Sequence, residues 1–383
     1  MIPGFDMASG QSIVSQEPAN ENSTPQLSEN SPNLDFLRAF AVTLVVAGHL
    51  GEYFGIESLG PFYLGGFLGT LGVLIFFVHT CYVLMMSLER QAASIGKRIF
   101  MPFMIRRSFR IYPLSMLAIL LIAVFHLPQA IILHRHFIGW KFDGGDLFSN
   151  LFLVQNFSFR VPILGPTWSL CYEMEMYLFL PMLFVVLRPC LSWWYSMCLY
   201  AASVLACIGI LHFSSTPNLA LYVPCFLPGV LAYELRKARP AMRKWIPSWI
   251  WPGAIISVST LYLLTPTSRA KAWLFCLLLG FAIPSFAQLS LKWIVSPSKY
   301  VAKYSYGIYL SHFFAIWFAF ERLQSLPFGA RVVVFVVIGA GIPVAAYHLV
   351  ERPMIDVGKN VAARYTIILN EREAPKKRAP VPA

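Results

Sequence analysis

The sequence predicts an all-α membrane protein, a polytopic bundle of about ten transmembrane helices with both termini in the cytoplasm. Composition gives the first evidence: 57% of the 383 residues are hydrophobic and only 13% are charged, and the mean hydropathy is +0.62. A soluble chain carries roughly a quarter charged residues. The shortage of charge therefore indicates that lipid surrounds much of this chain.

The second observation is the recurrence of apolar segments of about 17 to 23 residues, each long enough to cross a hydrocarbon core about 30 Å thick. Residues 1–33 are polar and lack Lys and Arg, which predicts a disordered cytoplasmic tail. We expect residues 34–355 to form the membrane domain and residues 356–383 a basic cytoplasmic tail. The ten predicted spans are 34–54, 64–87, 111–127, 168–187, 191–212, 219–235, 248–264, 272–290, 304–320 and 331–350.

The third observation is the distribution of basic residues, which gives a formal net charge of +12. Most of the Lys and Arg fall in alternate loops and in the tail after the last span, so the positive-inside rule places both termini in the cytoplasm. The charge lies in short loops between apolar runs, so we predict no nucleic-acid partner. The outer segment 147–157 is apolar but too short to span, and we expect it at the membrane interface or re-entering it.

The first span carries two ionisable residues, which at membrane depth indicate a functional site. Arg38 and His49 are eleven residues apart, about three helical turns, so both lie on one face and about 16 Å apart. His49 in its neutral form accepts a proton. The alternatives are an Arg38 that anchors the helix at the lipid headgroups and a His49 that is simply part of the core.

A basic cluster, RRSFRIYP (106–113), opens the third span. Guanidinium groups bind phosphate in a bidentate manner, and Arg107 and Arg110 share one helical face, with Arg106 beside them. This pattern favours a site for a phosphate-bearing ligand. A positive-inside cluster that contacts lipid headgroups is the alternative.

Acidic and aromatic residues open the fourth span in WSLCYEMEMY (168–177). Glu173 and Tyr177 are four residues apart on one face, whereas Glu175 lies about 200° around the helix from Glu173, so the two carboxylates do not form a catalytic pair. A buried Glu173 needs a partner, for which His49 or an arginine is the natural candidate. Trp168 suits an interfacial aromatic belt.

The remaining titratable residues give weaker signals. His312, in SYGIYLSH (305–312), fits a core position and a site position equally well, and Glu351 and Arg352 are interpreted as a solvated helix end. His126, His134 and His136 lack a carboxylate at helical spacing, so we predict no metal site. We also predict no bound cofactor.

Six motifs in this order resemble the acyltransferase 3 family of integral membrane acyltransferases, over about residues 33–355. They are Arg38 with His49, GTLGVLIFFV (69–78), RRSFRIYP, WSLCYE (168–173), SYGIYLSH and ERP (351–353). The chain departs from the family pattern at His79 and Cys81 in the second span and at Met174, where a second glutamate is usual.

The resemblance implies an enzyme of the bacterial inner membrane that transfers an acyl group, commonly acetyl, from cytoplasmic acyl-CoA to a hydroxyl. The acceptor is expected to be a cell-surface glycan or a lipid-linked sugar, and acyl-CoA is a co-substrate. His49 corresponds to the family's essential histidine, Arg38 to its paired arginine and Glu173 to the acidic residue of the Trp-Ser-Leu motif. Arg107 and Arg110 match the donor-binding element, with Arg106 as a helper.

From the residues and the resemblance together, we expect His49 to act as a general base on the acceptor hydroxyl. His79, Trp168, Tyr177 and His312 are candidate pocket residues. Glu173 is expected to orient His49 or balance its charge. A proton-coupled transporter or flippase of a small solute or lipid-linked sugar is the alternative, because midplane histidine and glutamate also occur in such proteins.

Overall fold

The computed structural model consists mainly of helices that run back and forth across one bundle. It describes residues 31–56, 58–128, 130–132, 136–138, 141–188, 192–213, 219–239, 246–266 and 268–373. Within these ranges the chain forms helices α1 Pro32–Phe54, α2 Gly65–Ile95, α3 Phe100–Phe125, α4 Gly144–Leu151, α5 Trp168–Leu187, α6 Trp193–Phe213, α7 Leu219–Ala238, α8 Ile250–Leu263, α9 Arg269–Ser285, α10 Lys292–Ile316, α11 Phe328–Ala346 and α12 Arg352–Glu373.

A 3₁₀ turn at Gly165–Thr167, π-helical segments at Trp317–Arg322 and Tyr347–Glu351, and two short antiparallel hairpins add to these helices. Strands β1 (Ser58–Leu59) and β2 (Phe62–Tyr63) pair between α1 and α2, and strands β3 (Ala130–Ile132) and β4 (His136–Ile138) pair between α3 and α4. Both hairpins lie in loops. The helices therefore form the body of the described structure.

Each of the ten predicted spans overlaps a helix, although several of the bounds differ. Seven helical segments in the described part of the chain are long and apolar enough to cross a membrane, which confirms an all-α, multi-pass membrane protein. The predicted spans 248–264, 272–290 and 304–320 fall on α8, α9 and α10, which are not among the seven. The count of ten and the cytoplasmic placement of both termini stay predictions.

The helices extend beyond several predicted boundaries. Helix α1 begins at Pro32, and Asn33, predicted to belong to the tail, is 2% exposed and hydrogen-bonds the backbone of Ala287 and Leu289. The predicted disorder of residues 1–30 lies outside the described residues. At the other end, α12 continues the chain as a helix to Glu373, where the sequence predicts a tail. The start of α1 and the helix α12 are both polar in composition. Hydropathy therefore does not predict them, because packing stabilises these segments.

Within the outer segment 147–157, residues up to Leu151 belong to the short helix α4. Asp143 caps this helix by accepting a hydrogen bond from the Asp146 backbone at 2.7 Å, and the Asp146 side chain accepts one in return. Arg160 binds both carboxylates. The Asp143 backbone N–H and the Arg160 guanidinium together hold the pKa of Asp146 below its ordinary value.

Helices α1 and α2 cross at very short range, because glycines remove the side chains between them. A Cβ atom on Gly48 would lie 2.5 Å from the backbone nitrogen of Gly69, and one on Gly72 would lie 2.5 Å from the carbonyl oxygen of Ala41. Membrane helices use small residues in this way to bring their backbones together. Close approach fixes the face of α1 that carries Arg38 and His49 against α2.

We expect Gly72→Ala to loosen this contact and lower the free energy of unfolding by about 1–3 kcal/mol, the usual cost of overpacking. The added methyl group would also meet the Val45 side chain at 2.7 Å. The matched control is Gly341→Ala on α11, where the new methyl group meets nothing within 4 Å. Thermal unfolding in one detergent compares the two variants. A Gly72→Ala protein as stable as the control would contradict this account of the contact.

Candidate functional site

A cavity opens between helices α1, α2, α3, α5 and α10, and its empty space is about 720 Å³. Its charged lining consists of three arginines and one glutamate, and most of the remaining lining is apolar or aromatic. The polar and titratable residues that line it are Arg38, His79, Thr80, Arg107, Arg110, Ser169, Glu173, Tyr177, Ser305, Tyr306 and Tyr309.

Two of the three guanidinium groups, those of Arg38 and Arg107, donate hydrogen bonds to serine hydroxyls of neighbouring helices. Arg38 donates from Nε to the Ser305 hydroxyl at 2.6 Å, which ties α1 to α10. Arg107 donates to Ser87 at 3.5 Å and its guanidinium lies 5.5 Å from the centre of the Phe103 ring. Three like charges repel one another inside low-dielectric surroundings. Such an arrangement suits an anionic ligand that neutralises them.

Glu173 belongs to this arginine cavity. Its carboxylate accepts a hydrogen bond from the Tyr177 hydroxyl at 2.7 Å, as the spacing of four residues predicts. Of the two partners that the sequence left open for Glu173, the arginines share its cavity. His49, the other candidate, does not line the cavity and bonds to a different carboxylate. Glu175 lies elsewhere, bonded to Asn156, which agrees with the prediction that the two glutamates do not share a face.

The partner of His49 is Glu52, one helical turn further along α1. The His49 Nδ1 atom and the Glu52 Oε2 atom are 2.8 Å apart. The His49 ring also stacks on His312 of α10, with ring centres 5.2 Å apart, and lies 4.5 Å from the Phe313 ring. We call His49, Glu52 and His312 the histidine cluster.

His312 is part of the site and is buried, with 2% of its surface exposed. Its Nδ1 donates to the Ile308 carbonyl oxygen at 3.1 Å, because a carbonyl oxygen can only accept. Its Nε2 is buried and has no hydrogen-bond partner among the described residues. By contrast, the His49 side chain is 21% exposed. Of the two stacked rings, His49 is therefore the one that a substrate hydroxyl can reach.

The arginine cavity and the histidine cluster occupy different levels of the bundle. Arg38 contacts Ser305 and His49 contacts His312, so α1 and α10 run in the same direction. Seven residues separate Ser305 from His312, a rise of about 10 Å along the helix. Tyr309 lies between the two levels and hydrogen-bonds Ser169 at 2.7 Å. The site is thus a cavity of fixed cations with an imidazole about two turns beyond it.

The structure brings most of the predicted residues into these two places. Arg38, His79, Arg107, Arg110, Glu173 and Tyr177 line the cavity, and His49 and His312 form the cluster. Two predicted residues lie outside. Arg106 is exposed and does not line the cavity. Trp168 packs its ring against Tyr172 and Tyr222, with ring centres 6.2 Å and 5.8 Å away.

Sequence reasoning missed two carboxylates of the site. Glu351, interpreted from sequence as a solvated helix end, is 3% exposed and lies close enough to Arg38 and Arg110 for electrostatic attraction. Glu52 had no predicted role. Its spacing of three residues from His49 was the available signal, because residues three apart on a helix are neighbours.

The structure thus combines a bundle of apolar helices, a cationic cavity and a partly exposed histidine beyond it. The chain belongs to the acyltransferase 3 family, whose model, described as an acyltransferase domain, matches residues 31–350. It is therefore a membrane acyltransferase. No curated protein and no solved structure matches the chain.

Proposed function

We propose that the protein is an integral membrane O-acyltransferase that moves an acyl group, acetyl in the first instance, from cytoplasmic acyl-CoA to a hydroxyl of a cell-surface glycan or a lipid-linked sugar. The single observation that carries the proposal is the pairing of the arginine cavity with a reachable imidazole beyond it. Family membership supports acyl transfer over the transporter or flippase that the sequence left open.

The arginine cavity suits the donor. Coenzyme A carries several phosphate groups, and Arg38, Arg107 and Arg110 offer three permanently charged guanidinium groups in one cavity. The carboxylates of Glu173 and Glu351 offset part of this positive charge, and the excess that remains attracts the phosphates of the donor. The long flexible arm of coenzyme A then extends from the cavity toward Tyr309 and the histidine cluster.

His49 suits the chemical step. Its imidazole takes the proton of the acceptor hydroxyl as the hydroxyl oxygen attacks the thioester carbonyl. A C–O bond forms, the C–S bond breaks, and the imidazolium returns the proton to the departing thiolate. The products are the acyl ester and free coenzyme A, and the proposed step uses no covalent enzyme intermediate. His79 and His312 are buried, which favours His49 for this role.

The proposal is tested with purified protein in lipid vesicles and radiolabelled acetyl-CoA, with longer acyl-CoAs as further donors. We expect the wild type to bind the donor and to transfer the label to a hydroxyl-bearing compound in an extract of membrane lipids and glycans. Release of free acid without an acceptor would still support donor activation. If no acyl-CoA binds or is consumed, the proposed reaction is wrong and transport becomes the function to test.

A further inference from the structure

Glu52 stands in a specific relation to the proposed base. Its carboxylate lies 2.8 Å from Nδ1 of His49, and both residues belong to α1. We propose that Glu52 is the positioning residue of His49: it fixes which ring nitrogen carries the hydrogen and stabilises the imidazolium that forms during transfer. This inference rests on the proposed function for its kinetic part, but its structural part can be measured without turnover.

The hydrogen bond decides the tautomer. An ionised carboxylate has only acceptor oxygens, so the hydrogen between Glu52 and His49 belongs to Nδ1. In a neutral imidazole the other nitrogen, Nε2, then keeps its lone pair and is the proton acceptor. Without Glu52, either nitrogen can carry the hydrogen, and a ring with Nε2–H cannot act as a base at that atom.

Neighbouring helices hold the ring, while 21% of the His49 side chain stays exposed. His312 stacks on one side and Phe313 packs at an angle of 57°. Toward α2, the ring faces Gly69, where even an added Cβ atom would stay 3.7 Å from Nε2. Glycine therefore leaves room beside Nε2 for a substrate hydroxyl. Packing restrains the ring plane, and Glu52 supplies the polar contact that sets its chemical orientation.

The charge of Glu52 matters when His49 is protonated. Among the described residues, Glu52 is the carboxylate bonded to this ring, and the other titratable side chain in contact with it is His312. His312 donates its Nδ1 hydrogen to a carbonyl oxygen, so it does not offer a negative charge. A carboxylate on one nitrogen stabilises the imidazolium that forms when the other accepts a proton, as in the catalytic triads of hydrolases.

Two variants of Glu52 and one control distinguish the effect of the tautomer on turnover from the effect of the charge. For Glu52→Ala we expect turnover to fall about 100-fold with donor affinity unchanged, since the arginine cavity is intact. The turnover of Glu52→Gln should lie between those of the wild type and Glu52→Ala, because an amide oxygen can accept the hydrogen bond from Nδ1 but carries no charge. Asp356→Asn, which removes an exposed ion pair with Lys359, is the control and should keep wild-type turnover.

Solid-state NMR of protein labelled with ¹⁵N-histidine in vesicles measures the tautomer, and the His49 signals are assigned by their loss in His49→Gln. We expect Nδ1–H in the wild type and a mixture of tautomers in Glu52→Ala. An unchanged tautomer in Glu52→Ala, or wild-type turnover in that variant, overturns the proposal. If the wild type itself consumes no acyl-CoA, the proposed function fails, while the NMR result still decides whether Glu52 sets the tautomer.

Discussion

Replacing His49 by alanine is expected to lower acyl transfer by about 10²–10⁴-fold, the usual contribution of a general base. Donor binding should stay within about twofold of the wild type, because His49 does not line the arginine cavity. Single-turnover measurements with radiolabelled acetyl-CoA separate the two effects. Binding that persists without transfer would identify His49 as a residue of the chemical step.

The control for this experiment is another histidine. His348→Ala removes a ring that contacts Tyr304 and Tyr347 near the junction of α11 and α12, away from the histidine cluster. We expect it to keep wild-type turnover. Full activity in His49→Ala would show that His49 is not the general base. Equal losses in both variants would indicate a general effect of histidine removal on folding, which membrane insertion and thermal unfolding would then reveal.

The positions of the helices could be predicted because lipid imposes a simple rule. A segment that crosses the hydrocarbon core must satisfy its backbone internally and be apolar over about 20 residues. Hydropathy detects such segments directly, so every predicted span overlaps a helix. Hydropathy does not predict the first turns of α3, from Phe100 to Arg110, or the polar helix α12, because neighbouring helices stabilise these segments.

Part of the site could also be predicted, because helical spacing places residues on faces. Arg38 with His49 and Glu173 with Tyr177 follow from counting along one helix. Pairing between helices does not, and this is why the sequence left the partner of Glu173 open between His49 and an arginine. Whether its face meets His49 or the arginines depends on how α5 packs against α1 and α3, which a single sequence does not specify.

The burial of polar residues at helix ends is a second feature that the sequence did not predict. Glu351 precedes a basic segment, where an acidic residue ordinarily faces water, yet it is 3% exposed. Its burial makes sense only beside Arg38 and Arg110, which belong to distant parts of the chain. Removing either arginine would leave this carboxylate with less compensation, so the two arginines have a structural role beside the proposed binding of the donor.

Arg110→Ala is expected to weaken acyl-CoA binding by about 10- to 100-fold, the equivalent of the roughly 1.5–3 kcal/mol that a charged hydrogen bond contributes. Arg106→Ala is a closely matched control, because it removes the same charge from the same helix at an exposed position outside the cavity. Equilibrium binding of radiolabelled donor to vesicles, with thermal unfolding as a check for the effect on Glu351, compares the two variants. If both weaken binding equally, the arginines act as a diffuse positive surface at the membrane. If only Arg110→Ala weakens it, the cavity holds the donor by direct contact, because an identical loss of charge four residues away along α3 has no effect.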